Sequence, residues 1–150
     1  MKIELRKALP DYAYRARGIY IGNGVFVSDR VIMSMVSHDR LRDNGLAADL
    51  VTSHERKVES SNWAQKVKMR NISNAEYDKL CDATNEDDDL MHWKKMYSWT
   101  DDVYTGEEST RVIRGFGSAR DSGSYLVTDF VTGNGARPAF EILNSDDCTD

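Results

Sequence analysis

Apolar and polar residues alternate along several stretches of the chain, with the period of a half-buried strand. Near the start, Ile3 and Leu5 face one way against Lys2, Glu4 and Arg6. Residues 17–21 and 25–27 then flank Gly22-Asn23-Gly24. Asn-Gly between two alternating runs predicts a hairpin, because both central residues of a type I′ turn need positive φ. Val31, Ile32 and Val36 mark a further strand over residues 30–36. Val67 and Met69, against Lys66, Lys68 and Arg70, mark another over residues 66–72. Three more runs follow, at residues 111–116, 124–131 and 136–143. The last two are separated by Thr132-Gly133-Asn134-Gly135, a second Asn-Gly signal, so an antiparallel sheet is expected to close the domain.

Helical spacing is confined to the middle of the chain. Ser73 and Glu76 form the pattern S-x-x-E, in which the Ser hydroxyl accepts from the Glu amide and the Glu carboxylate reaches back to the Ser amide. Tyr77, Leu80, Cys81 and Thr84 then fall on one helix face, which should pack on the sheet. The acidic run at residues 85–89 precedes a second short helix over residues 90–97, where carboxylates oppose the positive end of the helix dipole. Residues 39–50 read either as a helical turn capped at Asn44-Gly45 or as an irregular loop. Residues 51–65, 100–110 and 117–123 are polar loops, and Trp93, Met96, Tyr97 and Trp99 form an aromatic core anchor. The fold class is α+β: an antiparallel sheet, two short helices and long irregular loops. One domain is expected over residues 1–143, with an acidic tail at 144–150.

Composition changes this picture little, whereas charge adds to it. With 40% hydrophobic and 30% charged residues, the chain has the make-up of an ordinary globular protein. No run approaches the ~20 apolar residues of a membrane span, and MKIELRKALPDYAY lacks the apolar segment of a signal peptide. A cytoplasmic or virion-associated protein is expected. Residues 1–75 carry 13 basic and 8 acidic side chains, or +5; residues 76–150 carry 7 and 17, or −10. The plainer reading is that the halves pack together and neutralise each other. The sharper one is an acidic face that meets a basic partner. Tyr12, Tyr14, Arg15, Arg17 and Tyr20 interleave aromatic and basic groups as single-strand binders do, but in an acidic protein they read as an exposed sheet face, so direct nucleic-acid binding is not expected.

Catalytic and metal patterns are weak. His38, His54 and His92 have no metal-ligand spacing. Gly115-Phe116-Gly117 leads into a polar loop instead of a helix, unlike a dinucleotide fingerprint, and Ser118, Ser122 and Ser124 lack a nucleophile elbow. Cys81 reads as a buried apolar residue, and Cys81 and Cys148 read as reduced thiols, with a disulfide between them the less common alternative. Asp87, Asp88, Asp89, Asp101, Asp102, Glu107 and Glu108 could supply oxygen ligands to Ca²⁺, though no EF-hand spacing is present and a solvated acidic face is the better reading.

Four segments, taken in order, resemble the C-type-lectin-like fold in its formylglycine-generating (sulfatase-modifying) branch. Lys68-Met69-Arg70-Asn71-Ile72-Ser73-Asn74-Ala75-Glu76-Tyr77 is similar to that branch's strand-to-helix passage. Tyr97-Ser98-Trp99-Thr100-Asp101-Asp102 resembles its tyrosine-proline-tryptophan-glycine segment. Arg111-Val112-Ile113-Arg114-Gly115-Phe116-Gly117-Ser118 resembles its arginine-valine-x-arginine-glycine-glycine-serine strand, with Phe116 interrupting the glycine pair. Gly135-Ala136-Arg137-Pro138-Ala139-Phe140 is similar to its closing strand. The enzyme's pair of nearby cysteines has no counterpart, so the resemblance implies a noncatalytic bacterial or phage binding domain without a required cofactor. Such a domain would recognise a protein or glycan through its loops, as phage receptor-binding and adhesion domains do, with Trp99, Asp101, Asp102, Tyr104, Arg120, Asp121 and Tyr125 as candidate ligand-binding residues. Ca²⁺ in those loops and homo-oligomer formation are further implications of the family. The competing expectation, from charge, is a small acidic phage-encoded inhibitor of a host defence or nucleic-acid-binding enzyme.

Overall fold

The computed structural model describes residues 17–43, 54–57 and 64–142. Among them the architecture is α+β, with two five-stranded sheets and three short helices. In chain order the elements are β1 (Gly18–Gly22), β2 (Val25–Ser28), β3 (Met33–Ser34), α1 (His38–Asp43), β4 (His54–Lys57) and β5 (Ala64–Asn71). There follow α2 (Asn74–Thr84), α3 (Asp88–Met91), β6 (Tyr97–Trp99), β7 (Thr110–Gly115), β8 (Ser122–Leu126), β9 (Asn134–Ala136) and β10 (Pro138–Ile142). The first sheet has the order β1-β2-β10-β5-β4 and is antiparallel throughout. The second has the order β3-β9-β6-β7-β8, and its β6–β9 pair is parallel.

The first hairpin forms as the pattern predicts: Asn23 and Gly24 take φ of 54° and 74°, and β1 pairs with β2. The second does not form. Asn134 and Gly135 lie within β9, between β3 and β6, and the three C-terminal runs are divided between two sheets. Only β7 and β8 pair with each other. Glycine is required at 135 by a close approach, since a Cβ there would lie 2.0 Å from the Met33 carbonyl oxygen. The single antiparallel sheet expected from the sequence is therefore two sheets, one of them mixed.

Other differences are local. The strand expected over residues 30–36 shrinks to β3, because Met35 turns into the left-handed region at φ 53°. The loop expected over residues 51–65 contains β4, which pairs with β5; residues 51–53 and 58–63 lie outside the described residues. The helix expected over residues 90–97 is the single turn α3, capped by His92 at φ 49° so that the chain can enter β6. Residues 1–16, the Asn44-Gly45 cap, the acidic tail and Cys148 lie outside the described residues.

The core has two compartments because β2 and β10 bury both faces. Successive side chains on a strand point to opposite sides. Phe26 and Phe140 go one way, joining Met69, Trp99, Ile113, Ile32, Val36 and Leu41. Val27 and Ala139 go the other, joining Ile72, Tyr77, Leu80, Cys81 and Met91 beneath α2. Each large apolar side chain so buried contributes about 1.5–3 kcal/mol. The helix face read from the sequence is the one buried, as Tyr77, Leu80, Cys81 and Thr84 all are. The charged halves of the chain interleave, since β10 from the acidic half runs between β2 and β5 from the basic half. No helix among the described residues is long and apolar enough to cross a membrane.

Candidate functional site

Three buried or half-buried arginines, Arg70, Arg114 and Arg137, organise polar contacts between elements. At the passage from β5 to α2, Arg70 donates to both Glu76 oxygens at 2.6 and 2.5 Å, and to Glu141 on β10 at 2.9 and 2.6 Å. Glu76 closes the capping box, accepting from the Ser73 amide at 2.9 Å while Ser73 Oγ accepts from the Glu76 amide at 3.1 Å. Burial pushes the Glu76 carboxyl up, but the bonds and charge of Arg70, with the Ser73 amide, outweigh it and hold the group below its ordinary value. The hydrogen bond to Glu76 correspondingly raises Arg70, against burial.

Arg114 on β7 donates to Asn74 Oδ1 at 2.7 Å and Asp78 at 2.8 Å, with its guanidinium over the Tyr77 ring at 4.8 Å. Arg137, between β9 and β10, is fully buried and donates to Ser98 Oγ, the Ser28 carbonyl and the His92 carbonyl at 2.9, 3.0 and 3.1 Å. Burial lowers its pKa. Burial also pushes the Tyr77 hydroxyl up to about 12, with the Arg137 charge acting in the opposite direction.

The residues nominated from the sequence do not converge. Trp99 is core, its indole N–H donating to the Val36 carbonyl at 2.7 Å. Tyr125 packs edge-on against it, with ring centroids 6.2 Å apart. Asp101 bonds His38 Nε2 at 2.9 Å and accepts from Asn71 Nδ2 at 3.1 Å, tying α1 to the end of β5. Asp102 accepts from the Asn74 amide at the start of α2. Arg120 lies along the outer edge of α2, bonding Asp82 at 2.5 Å and Glu86 at 3.0 Å. Asp121 is exposed, and its carbonyl accepts from the Gly115 amide and Arg114 Nε. Tyr104 is exposed and forms a small turn with Glu107.

The alternative chemistry is also accounted for by local structure. Asp87 caps α3 by accepting from the Asp89 amide, and Asp88 accepts from the Lys94 amide. No group of three or more His, Cys, Asp or Glu side chains could hold a metal ion among the described residues. Cys81 is a buried free thiol 3.6 Å from the Ala119 carbonyl, and burial raises its pKa, which opposes thiolate formation.

What remains is an exposed apolar end around residues 126–133. Leu126, Phe130 and Val131 are exposed along this segment, with Met35 sharing a cleft with Phe130 and Phe116 beside Gly133; Leu126 and Phe116 lie at opposite ends of the β7–β8 hairpin. Met35 and Phe130, with Ser37, Asp39, Arg40 and Thr128, line a cleft of about 450 Å³. Its walls are held together by backbone bonds from the Asp39 amide to the Val127 carbonyl, 3.0 Å, and from the Met35 amide to the Asn134 carbonyl, 3.1 Å. On the other side of the segment, Phe116 stacks on Tyr97 with centroids 4.7 Å apart and planes at 17°.

Exposed apolar side chains that cluster mark an interaction surface, whereas scattered ones need no explanation. The sequence held two signals of this end. Phe130-Val131 continues an apolar run up to a Thr-Gly turn, and Phe116 stands between two glycines. In comparisons with known proteins, the chain matches no family model, no curated protein and no solved structure.

Proposed function

We propose that the chain is a noncatalytic binding domain of the C-type-lectin-like kind, of bacterial or phage origin, that recognises a protein or glycan ligand. The scaffold part of this reading is supported by the roles of the four resembling segments. Arg70 and Glu76 of the first segment bond each other across the strand-to-helix passage. Tyr97 and Trp99 of the second lie on β6, paired with the Arg114-Gly115 strand of the third. Arg137 of the fourth ties β10 to Ser98. Fold resemblance alone does not give function.

The binding part rests on one observation. Arg70, Arg114 and Arg137 are paired within the framework, while large apolar side chains stand in solvent along residues 126–133. The ligand surface is accordingly the cleft between Met35 and Phe130; of the sequence-derived set, Tyr104, Arg120 and Asp121 are exposed. A glycan array and a host-surface pull-down, run with the wild-type protein and with Phe130→Asp and Met35→Asp, test it. Both variants should retain the wild-type melting temperature, as exposed substitutions do, and lose the captured ligand. Two empty screens, or capture unchanged in both variants, would overturn the reading. The acidic-inhibitor alternative draws on Asp78 and Asp82 of α2 and Glu86 just beyond its C-cap; Arg120 already bridges all three.

A further inference from the structure

Met35 stands outside because the chain turns at it. Alternation along β3 would place it on the same side as Met33, which packs against the core. At residue 35 the backbone instead enters the left-handed region, at φ 53°, so that Val36 takes the core position and Met35 is left 51% exposed. Two bonds hold the turn: the Met35 amide donates to the Asn134 carbonyl at 3.1 Å, and the Val36 carbonyl accepts from the Trp99 indole at 2.7 Å. The Met35 side chain thereby becomes a wall of the cleft that it lines with Phe130, Ser37 and Thr128. A thioether suits such a wall, being unbranched, flexible and polarisable.

It is also the sulfur that an oxidant in solution meets first. Met69 and Met91 are buried, and Met33 and Met96 are half-buried. Cys81 is buried as a thiol, and burial raises its pKa, so the nucleophilic thiolate is disfavoured. Among the described residues Met35 is therefore the most accessible sulfur. Hydrogen peroxide oxidises such a thioether in one two-electron step: a sulfur lone pair attacks a peroxide oxygen, the S–O bond forms as the O–O bond breaks, and the second oxygen leaves as water. The product is a polar, chiral sulfoxide, which methionine sulfoxide reductases return to the thioether with thiols as reductant. In the cleft the new oxygen holds water, and an apolar group seated between Met35 and Phe130 would have to strip it away.

We propose that Met35 is a reversible oxidation site whose sulfoxide closes the cleft to apolar ligands. This rests on the binding-domain reading and names the control of that surface. The test treats the folded full chain with hydrogen peroxide, locates the added oxygen by peptide mass spectrometry, and follows binding of anilinonaphthalene sulfonate, a fluorescent apolar probe, by amide chemical shifts. Met35 should oxidise at least tenfold faster than Met69 and Met91 and ahead of Met33 and Met96, and the differences should vanish in urea. Oxidation should weaken the probe at least fivefold without lowering the melting temperature, and a methionine sulfoxide reductase with dithiothreitol should restore it. Met35→Gln, polar without oxidation, should bind the probe as weakly as the oxidised protein. Met35→Leu sets its own baseline and should no longer respond to peroxide.

Oxidation of Met69 or Met91 at the rate of Met35 would overturn the site. Equal binding of the probe before and after oxidation would overturn the control and leave the binding-domain reading standing. A response to peroxide that persists in Met35→Leu would assign the effect to another sulfur and overturn the inference in the same way. A melting temperature well below that of the reduced protein would assign the loss of binding to unfolding, again overturning it. Reduced protein whose Met35, Asp39 and Thr128 amides the probe leaves unmoved would count against the cleft itself as a ligand surface, and the control would fall with it.

Discussion

Asn23-Gly24 and Asn134-Gly135 are the same dipeptide in two unlike settings. The first sits at the tip of a hairpin, both residues at positive φ, with only the Ile142 carbonyl oxygen within reach of a Cβ on Gly24, at 3.9 Å. The second is extended, sandwiched between β3 and β6, where a Cβ on Gly135 would collide with the Met33 backbone. One glycine is used for conformational freedom and the other for its missing side chain. Substitutions should therefore separate them, because backbone collision in a sheet cannot be relieved as cheaply as turn strain.

The largest effect is expected for Gly135→Ala, which must push β3 off β9 and should cost more than about 4 kcal/mol, the range of exceptional single substitutions. A melting temperature within a few degrees of wild type would contradict the packing of β3 on β9. Next is Arg70→Ala, which leaves Glu76 and Glu141 facing each other without their shared cation; breaking such a partly buried group costs about 3 kcal/mol, measurable by urea unfolding.

The same group gives a pH dependence. Glu76 has a folded pKa below its unfolded one, so its contribution is present above the ordinary carboxylate range and is lost as pH falls through the folded value. Stability should decline on the acid side, and Glu76→Gln should flatten that limb of the pH profile. Gly24→Ala should cost only about 1 kcal/mol, the ordinary price of a non-glycine residue in the left-handed region, and so complete the contrast with Gly135→Ala. Smallest of all, Tyr104→Ala should stay within about 0.5 kcal/mol of wild type, since its side chain is exposed.

The parts of the fold legible in the sequence are those decided by near neighbours. Ser73 and Glu76 meet across one helical turn, and Tyr77, Leu80, Cys81 and Thr84 share a face by spacing alone. The first hairpin needs no distant partner. The place of Asn134-Gly135 depends instead on β3 and β6, which lie far away in the chain, and no local rule announces a parallel neighbour. The exposed end was obscured for a related reason. Alternation runs on through Phe130, but Asp129 turns the chain by accepting from the Leu126 amide at 3.0 Å, so β8 stops and the remaining apolar side chains are left outside. Asp101 and Asp102 looked like ligand-facing acids in an aperiodic loop. Their partners, His38, Asn71 and the Asn74 amide, are supplied by other segments.

The middle strand of the first sheet is β10, which leaves the ribosome after every other strand described. Until it arrives, β2 and β5 have no inner neighbour, and the Ser28 and His92 carbonyls lack the guanidinium of Arg137. Nascent or truncated chains that stop short of residue 137 would therefore present two open strand borders to one another, the usual starting point for aggregation. Assembly of this domain is in effect a zipper whose slider comes last.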